Sequence, residues 1–247
     1  MTPKLSGILI VEDEGMFREC LVAKFREAFP DLEIRACGNA EDALTLCASR
    51  LPRLGLFDLN LPGVDGVDLG QKLLAMAPTV RVVILSGHSS EALLLRLKGS
   101  KIAGFIDKND EHLDALPALI GKVLDGGRYY SRSLRDYQLD FARKSDAWSK
   151  LLTDAETKIL PYLGANLRPT ELAALFNISK ETVAWHKRNI RSKLNLHSDS
   201  DIMHFCTTKG FLLVGHSEMR PVQMPSISKG HGSLPGPKPL PDLTQDL

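Results

Sequence analysis

Cysteine is scarce in this 247-residue chain: Cys20, Cys37, Cys47 and Cys206 are the only four, and no two of them form a CxxC pair. That spacing fits neither a disulfide framework nor a zinc site, so the four are expected to be reduced thiols in the core. Long apolar runs are missing too. GILIV at 7–11 and ALLL at 92–95 fall far short of the roughly 18 residues of a membrane span. No signal-peptide pattern opens the sequence, and the expectation is a cytoplasmic protein without a membrane partner. Nor is there a strong overall charge, with 31 Lys and Arg against 30 Asp and Glu. Aromatic residues reach only 6%, while hydrophobic residues make up 43% and charged residues 25%. Those last two values are ordinary for globular chains and exclude a wholly disordered, collagen-like or coiled-coil protein. The length suits one large or two ordinary domains.

Charge is unevenly distributed. Residues 1–125 hold 14 basic against 18 acidic residues, whereas residues 148–214 hold 9 against 6. An acidic first half before a mildly basic second one suggests a polyanion partner for the C-terminal part.

Short β-branched or apolar runs recur at Gly7–Val11, Glu33–Ala36, Leu54–Leu59, Arg81–Leu85 and Ile102–Ile106, separated by amphipathic stretches. In the first such stretch Phe17, Leu21 and Phe25 repeat at helical spacing. Alternation of this kind predicts an α/β domain over 1–124: a five-stranded parallel sheet, doubly wound and flavodoxin-like. A linker is expected over 125–148. No strand signal follows it. Thr153-x-x-Glu156 reads as a capping box, and short helices are expected at about Pro169–Leu175, Lys180–Leu194 and Ser200–Thr208, making 149–213 an all-helical domain. From 214 to 247 the chain is rich in Pro, Gly and Ser and is expected to be disordered.

In an open parallel sheet, ligands bind beyond the carboxyl ends of the strands, where the strand order reverses. Glu12 and Asp13 end the first predicted strand, Asp58 the third and Ser86 the fourth, while Lys108 follows the fifth. Three clustered carboxylates repel one another unless a cation compensates them. Hard oxygen ligands around a small cavity suit Mg²⁺. With the charge neutralised by the metal and Lys108, Asp58 can act as a nucleophile on a phosphoryl group, to which Ser86 offers a hydroxyl. Pro62, Gly63 and Gly66 shape the loop after Asp58.

These segments, ILIVEDE, LFDLNLPGVDG, VILSGHS and GFIDKND, resemble the receiver domain of bacterial two-component response regulators. The resemblance implies that Asp58 accepts phosphate from a sensor histidine kinase. It also implies that Glu12, Asp13, Asp58 and the backbone carbonyl of Asn60 hold Mg²⁺, and that Ser86 and Lys108 contact the phosphoryl group. Phe105 matches the aromatic switch that follows Ser86. Glu12 stands where Asp is commoner, and Ser86 where Thr is. His88, on the pocket rim, reads either as an exposed loop histidine or as an influence on water attack; Asp107 is expected to point to solvent.

The second predicted helix pair has the form helix, short turn through Asn177 and Ile178, helix begun by Ser179. Val183, Ile190 and Leu194 form its buried stripe, leaving Lys180, Thr182, His186, Lys187, Arg188, Arg191 and Lys193 outward. By spacing alone such a face reads either as a solvated charged surface or as a basic surface that docks in a DNA major groove. The stretch LTDAETKIL followed by ELAALFNISKETVAWHKRNIRSKLNL is similar to the LuxR-type helix-turn-helix domain. Behind a receiver it matches the NarL/FixJ class. The similarity implies DNA contacts at Lys180, Thr182, His186, Lys187 and Asn189, and dimerisation through the helix near Ser200–Thr208. Asn166 and Asn195 replace glycines usual in that family, which left-handed Asn can tolerate. Trp185 either packs on the sugar-phosphate backbone or covers the domain surface.

The resulting expectation is a phosphorylation-controlled transcription factor, not an enzyme, forming a homodimer on activation and acting on promoter DNA, with RNA polymerase as a further candidate partner. One alternative is an Asp-nucleophile phosphohydrolase, but Asn60 stands where such enzymes commonly carry a second acid. Another is a regulator controlled by a partner protein independently of phosphate, for which a degraded pocket would be the mark.

Overall fold

The computed structural model describes residues 6–98, 100–143, 148–214 and 219–225. They form two compact units that divide between Asp140 and Phe141.

In the first unit strands and helices alternate: β1 (Ile8–Val11), α1 (Gly15–Ala28), β2 (Ile34–Cys37), α2 (Ala40–Ser49), β3 (Leu54–Asp58), α3 (Gly66–Met76), β4 (Arg81–Ser86), α4 (Glu91–Leu97), β5 (Gly104–Asp107), a 3₁₀ turn at Leu113–Ala115, α5 (Leu116–Leu124), β6 (Tyr129–Tyr130) and α6 (Arg132–Arg143). The strands pair in the order β2-β1-β3-β4-β5-β6, all parallel. Every residue of β1, β3 and β5 is buried, as a sheet with both faces covered requires. Leu21 and Phe25 of α1 and Leu116, Ile120 and Val123 of α5 pack with Ile8, Ile10, Leu54, Leu56, Val83 and Leu85 in one core. Helix starts are set by short polar side chains: Asn39, Asp65 and Ser90 accept backbone N–H groups of α2, α3 and α4.

The sheet has six strands where five were expected. Tyr129 and Tyr130 pair with Gly104 and Phe105 inside the predicted linker. Two residues make no hydrophobic run, so the strand is held by its neighbours: Tyr129 N–H donates to Ala103 O, Ser131 N–H to Phe105 O, and the Tyr130 hydroxyl to Ile102 O.

The second unit holds α7 (Trp148–Leu151), α8 (Asp154–Gly164), α9 (Pro169–Phe176), α10 (Lys180–Leu194), α11 (Asp199–Lys209), β7 (Leu212–Val214) and β8 (Met219–Pro221). The capping box of Thr153 and Glu156 opens α8. Asn166, Asn177 and Asn195 all take the left-handed conformation, at φ 59°, 53° and 53°, and the last two close α9 and α10.

This unit is not all-helical. After α11 the chain forms an antiparallel hairpin of β7 and β8, and Val222 N–H donates to Phe211 O at 2.9 Å. Val222 and Met224 are buried, and Trp148 meets Phe211 edge-on at 4.6 Å between ring centroids. Within the segment expected to be disordered from 214, the described residues 219–225 include a paired strand and the buried side chains of Val222 and Met224. Residues 226–247, with the alternating prolines, lie outside the described residues. All four cysteines are free, as expected, but not all are in the core: Cys47 and Cys206 are buried, while Cys20 is exposed on α1.

Candidate functional site

Strand order reverses around β1, which β2 and β3 flank, so the carboxyl ends of β1 and β3 bound a crevice. Glu12 and Asp58 are almost fully buried there, at 1% and 5% exposure. Oxygens of Glu12, Asp13 and Asp58 all lie within 4.8 Å of one another. Lys108 reaches across: its Nζ is 2.5 Å from Asp58 Oδ1 and 2.8 Å from Glu12 Oε2. The same ammonium sits 4.7 Å from the centroid of the Phe17 ring. Burial, together with the charge of Asp58, holds Glu12 above the ordinary carboxylate range. Burial works against the charge on Lys108, but Asp58 and Glu12 outweigh it and raise its pKa above the usual lysine value. Two buried carboxylates thus share one ammonium.

The loops around this centre are fixed from outside it. Arg18 on α1 donates from Nη1 to the carbonyls of Glu12 and Asp13, at 2.6 and 3.2 Å. Asn60 N–H donates to Asp58 Oδ2 at 2.6 Å. The chain then returns so closely over Asp58 that a Cβ on Gly66 would lie 2.1 Å from the Asp58 carbonyl oxygen. Asp65, beside it, takes two hydrogen bonds of 2.7 and 2.8 Å from Nη2 of Arg96, which also reaches Asp68 at 2.8 Å. This network, in which Arg96 and Asp65 are buried and Asp68 is partly exposed, pins α4 to the start of α3. Burial, and then the negative charge of Asp65, raise the Asp68 carboxyl to about 6.

Ser86 is buried, and its hydroxyl faces the β4–α4 loop: it donates to His88 O at 2.9 Å and accepts from His88 N–H at 3.0 Å. The His88 side chain is exposed. Phe105 is fully buried in β5. Asp107, expected at the solvent, is buried instead, because hydroxyls of Ser89 and Ser133 point at its Oδ2 and Asn109 N–H donates to its Oδ1.

On α10, Lys180 and Arg188 are exposed, and Thr182, Lys187 and Asn189 half-buried. One residue departs from the expected outward surface, and a second, though exposed, is paired within the domain. His186 is buried at 6% exposure, since it continues the Val183–Ile190 stripe. Lys193 places its ammonium 2.7 Å from the buried carboxylate of Glu156, so it is engaged within the domain. Lys187 and Arg191 both pair with Asp199 at the start of α11. Trp185 is half exposed, at 53%, beside the His186 ring.

The family model of the response regulator receiver domain matches residues 8–119, and that of the luxR family of bacterial regulatory proteins matches residues 150–206. The chain is a response regulator. Its receiver domain precedes a LuxR-type DNA-binding domain, the arrangement of the NarL/FixJ class. It is similar to the transcriptional activator protein ExaE of Pseudomonas putida, with 26% identity over 212 residues that span 84% of this chain and 99% of that protein. Response regulator UvrY of Escherichia coli K12 is 24% identical over 212 residues, spanning 83% and 94%. In fold, the chain resembles RcsB of Salmonella enterica serovar Typhimurium in a structure bound to promoter rprA with phosphomimetic BeF₃⁻. The TM-score is 0.54, with 17% identity, over 82% of this chain and 98% of RcsB.

All the pocket residues of this response regulator lie inside the receiver match, and α10 lies inside the luxR-family match. β6, α6 and the β7–β8 hairpin lie outside both. Sequence reasoning brought Glu12, Asp13, Asp58, Ser86 and Lys108 to one end of the sheet and missed Arg18, Asp65, Arg96, Ser89 and Ser133. A lone Arg96 in the apolar run ALLLRL was the one available signal, since a charge in a buried helix requires a partner. Among the described residues no helix is long and apolar enough to cross a membrane.

Proposed function

We propose that this response regulator is switched by phosphorylation of Asp58, and that the phosphorylated form dimerises and binds promoter DNA through α10 to regulate transcription. The observation that carries the reading is the bridging of buried Asp58 and Glu12 by Lys108 Nζ, with Asp13 alongside. An Asp58 carboxylate oxygen forms a P–O bond to a phosphoryl group as the P–N bond of a sensor kinase's phosphohistidine breaks, and the electron pair leaves with the imidazole. Lys108 already touches the attacking carboxylate and offsets charge on the transferred group; Ser86 supplies a hydroxyl by leaving the His88 backbone. Glu12, Asp13 and Asp58, whose oxygens lie within 4.8 Å of one another, would with the carbonyl of Asn60 give an all-oxygen donor set that suits Mg²⁺. When bound, that cation neutralises negative charge on the phosphoryl oxygens.

Lys180, Thr182, Lys187, Arg188 and Asn189 are the residues of α10 we assign to DNA. The protein acts in the cytoplasm as a regulator without substrate turnover, with a sensor histidine kinase, promoter DNA and RNA polymerase as partners. The test is intact-mass measurement after incubation with acetyl phosphate and Mg²⁺. Wild type should gain one phosphoryl group and Asp58→Asn none; equal labelling of the variant refutes the assignment.

A further inference from the structure

β6 and α6 fall beyond the residues that the receiver family model matches, yet they are built into the receiver unit as far as Asp140. Beyond the strand pairing of β6, the polar contacts of this segment gather around Asp107. Buried Ser131, between β6 and α6, accepts the backbone N–H of Asp107 at 2.9 Å. Ser133, in the first turn of α6, donates its hydroxyl to Asp107 Oδ2 at 2.8 Å, and its N–H donates to Asp110 Oδ2 at 2.8 Å. Ser89 of the β4–α4 loop donates to the same Asp107 Oδ2 at 3.3 Å, with its hydroxyl 3.4 Å from that of Ser133. A single carboxylate oxygen therefore joins the end of β5, the β4–α4 loop and α6.

Two of these three segments carry the residues that answer to Asp58. Asp107 immediately precedes Lys108, and Ser89 lies three residues after Ser86. The Ser86 hydroxyl holds both the N–H and the carbonyl of His88. To donate to a phosphoryl oxygen on Asp58 it must give up the His88 carbonyl, which frees the loop on which Ser89 sits. Meanwhile α6 has little else to hold it: of its side chains described up to Asp140, Leu134 alone is fully buried, and Arg132, Arg135, Asp136, Gln138, Leu139 and Asp140 are exposed.

We propose that Ser89, Asp107 and Ser133 form a latch through which phosphorylation of Asp58 loosens β6 and α6 from the receiver. This rests on the proposed role of Asp58. Loosening would act directly on the segment that leads into the DNA-binding unit, and it would free the edge of β5 now paired with β6.

Hydrogen exchange of the full chain, read by mass spectrometry with and without acetyl phosphate and Mg²⁺, tests the latch. Amides of residues 129–143 should exchange about five- to tenfold faster after phosphorylation, the change expected when one or two modest hydrogen bonds are lost. Ser133→Ala should reach the faster rate without phosphate, while Ser133→Thr, which keeps the hydroxyl, should stay protected. If wild type takes up phosphate and 129–143 exchanges as before, the latch is refuted and the Asp58 reading stands. Ser133→Ala exchanging as slowly as wild type, or faster evenly across β1, β3 and β4, also refutes it. Absence of phosphate uptake overturns the Asp58 reading and the latch with it.

Discussion

Replacing Lys108 with Met should convert the pocket from a balanced cluster into a strained one. The substitution keeps an unbranched stem of similar length but removes the ammonium that lies 2.5 Å from Asp58 and 2.8 Å from Glu12. Two carboxylates within 4.8 Å of each other then stand unscreened. At an effective dielectric of about 20 their repulsion is about 3.5 kcal/mol, and breaking a fully buried ion pair typically costs about 3–5 kcal/mol. Lys108 is 24% exposed, so water moderates both quantities and about 2–3 kcal/mol is the loss expected. Urea denaturation of the receiver transition at pH 7.5 in the presence of chelator measures it. Adding Mg²⁺ supplies the second half of the test. In wild type the ammonium competes with a cation for Glu12 and Asp58, whereas in Lys108→Met the cation meets the carboxylates alone. Mg²⁺ should therefore stabilise the variant more than wild type, closing part of the gap. A variant as stable as wild type in chelator, or an equal Mg²⁺ gain for both proteins, would refute the electrostatic account of the pocket.

Asp68 has a folded pKa of about 6 against an ordinary value of 3.8, so its ionised form costs stability at neutral pH, and the cost shrinks as pH falls below about 6 and vanishes only below 3.8. Wild type should accordingly gain about 1–2 kcal/mol relative to Asp68→Asn between pH 7.5 and pH 5, measured by parallel urea titrations, and a pH-independent difference would show that Arg96 compensates Asp68 fully. On α10, Lys180→Ala should relax base preference at particular positions by about 1–3 kcal/mol, and Arg188→Ala should lower the salt slope of DNA binding by about one unit. His186→Ala should reduce the melting stability of the second unit and leave the ranking of DNA sequences unchanged, because the ring is buried; altered base preference in binding titrations would restore it as a base reader.

The pocket was legible because its residues sit at strand ends, where a parallel sheet brings distant segments together whatever lies between them. β6 was not, since two tyrosines form no periodic run and pair only because the β5 edge is there to receive them. The hairpin of β7 and β8 escaped for a related reason: a composition rich in Pro and Gly hid the buried pair Val222 and Met224. On α10 the informative signal was spacing, and residue polarity misled. Positions 183, 186 and 190 follow helical periodicity, which puts His186 on the stripe that carries Val183 and Ile190.

A buried polar side chain needs a partner, and Arg96, Glu156 and His186 differ in how they find one. Arg96 has Asp65 and Asp68, and Glu156 has Lys193. His186 has no partner for Nδ1 among the described residues, and burial lowers its pKa below the usual histidine value. A buried imidazole whose charged form is disfavoured in this way contributes little to the basic surface that we propose meets DNA. The charge available there belongs to Lys180 and Arg188, which are exposed and enter none of the ion pairs formed among the described residues, while Lys187, Arg191 and Lys193 spend part of theirs on Asp199 and Glu156. Salt dependence of binding should therefore respond more to Lys180 and Arg188 than to the other three cations of the helix.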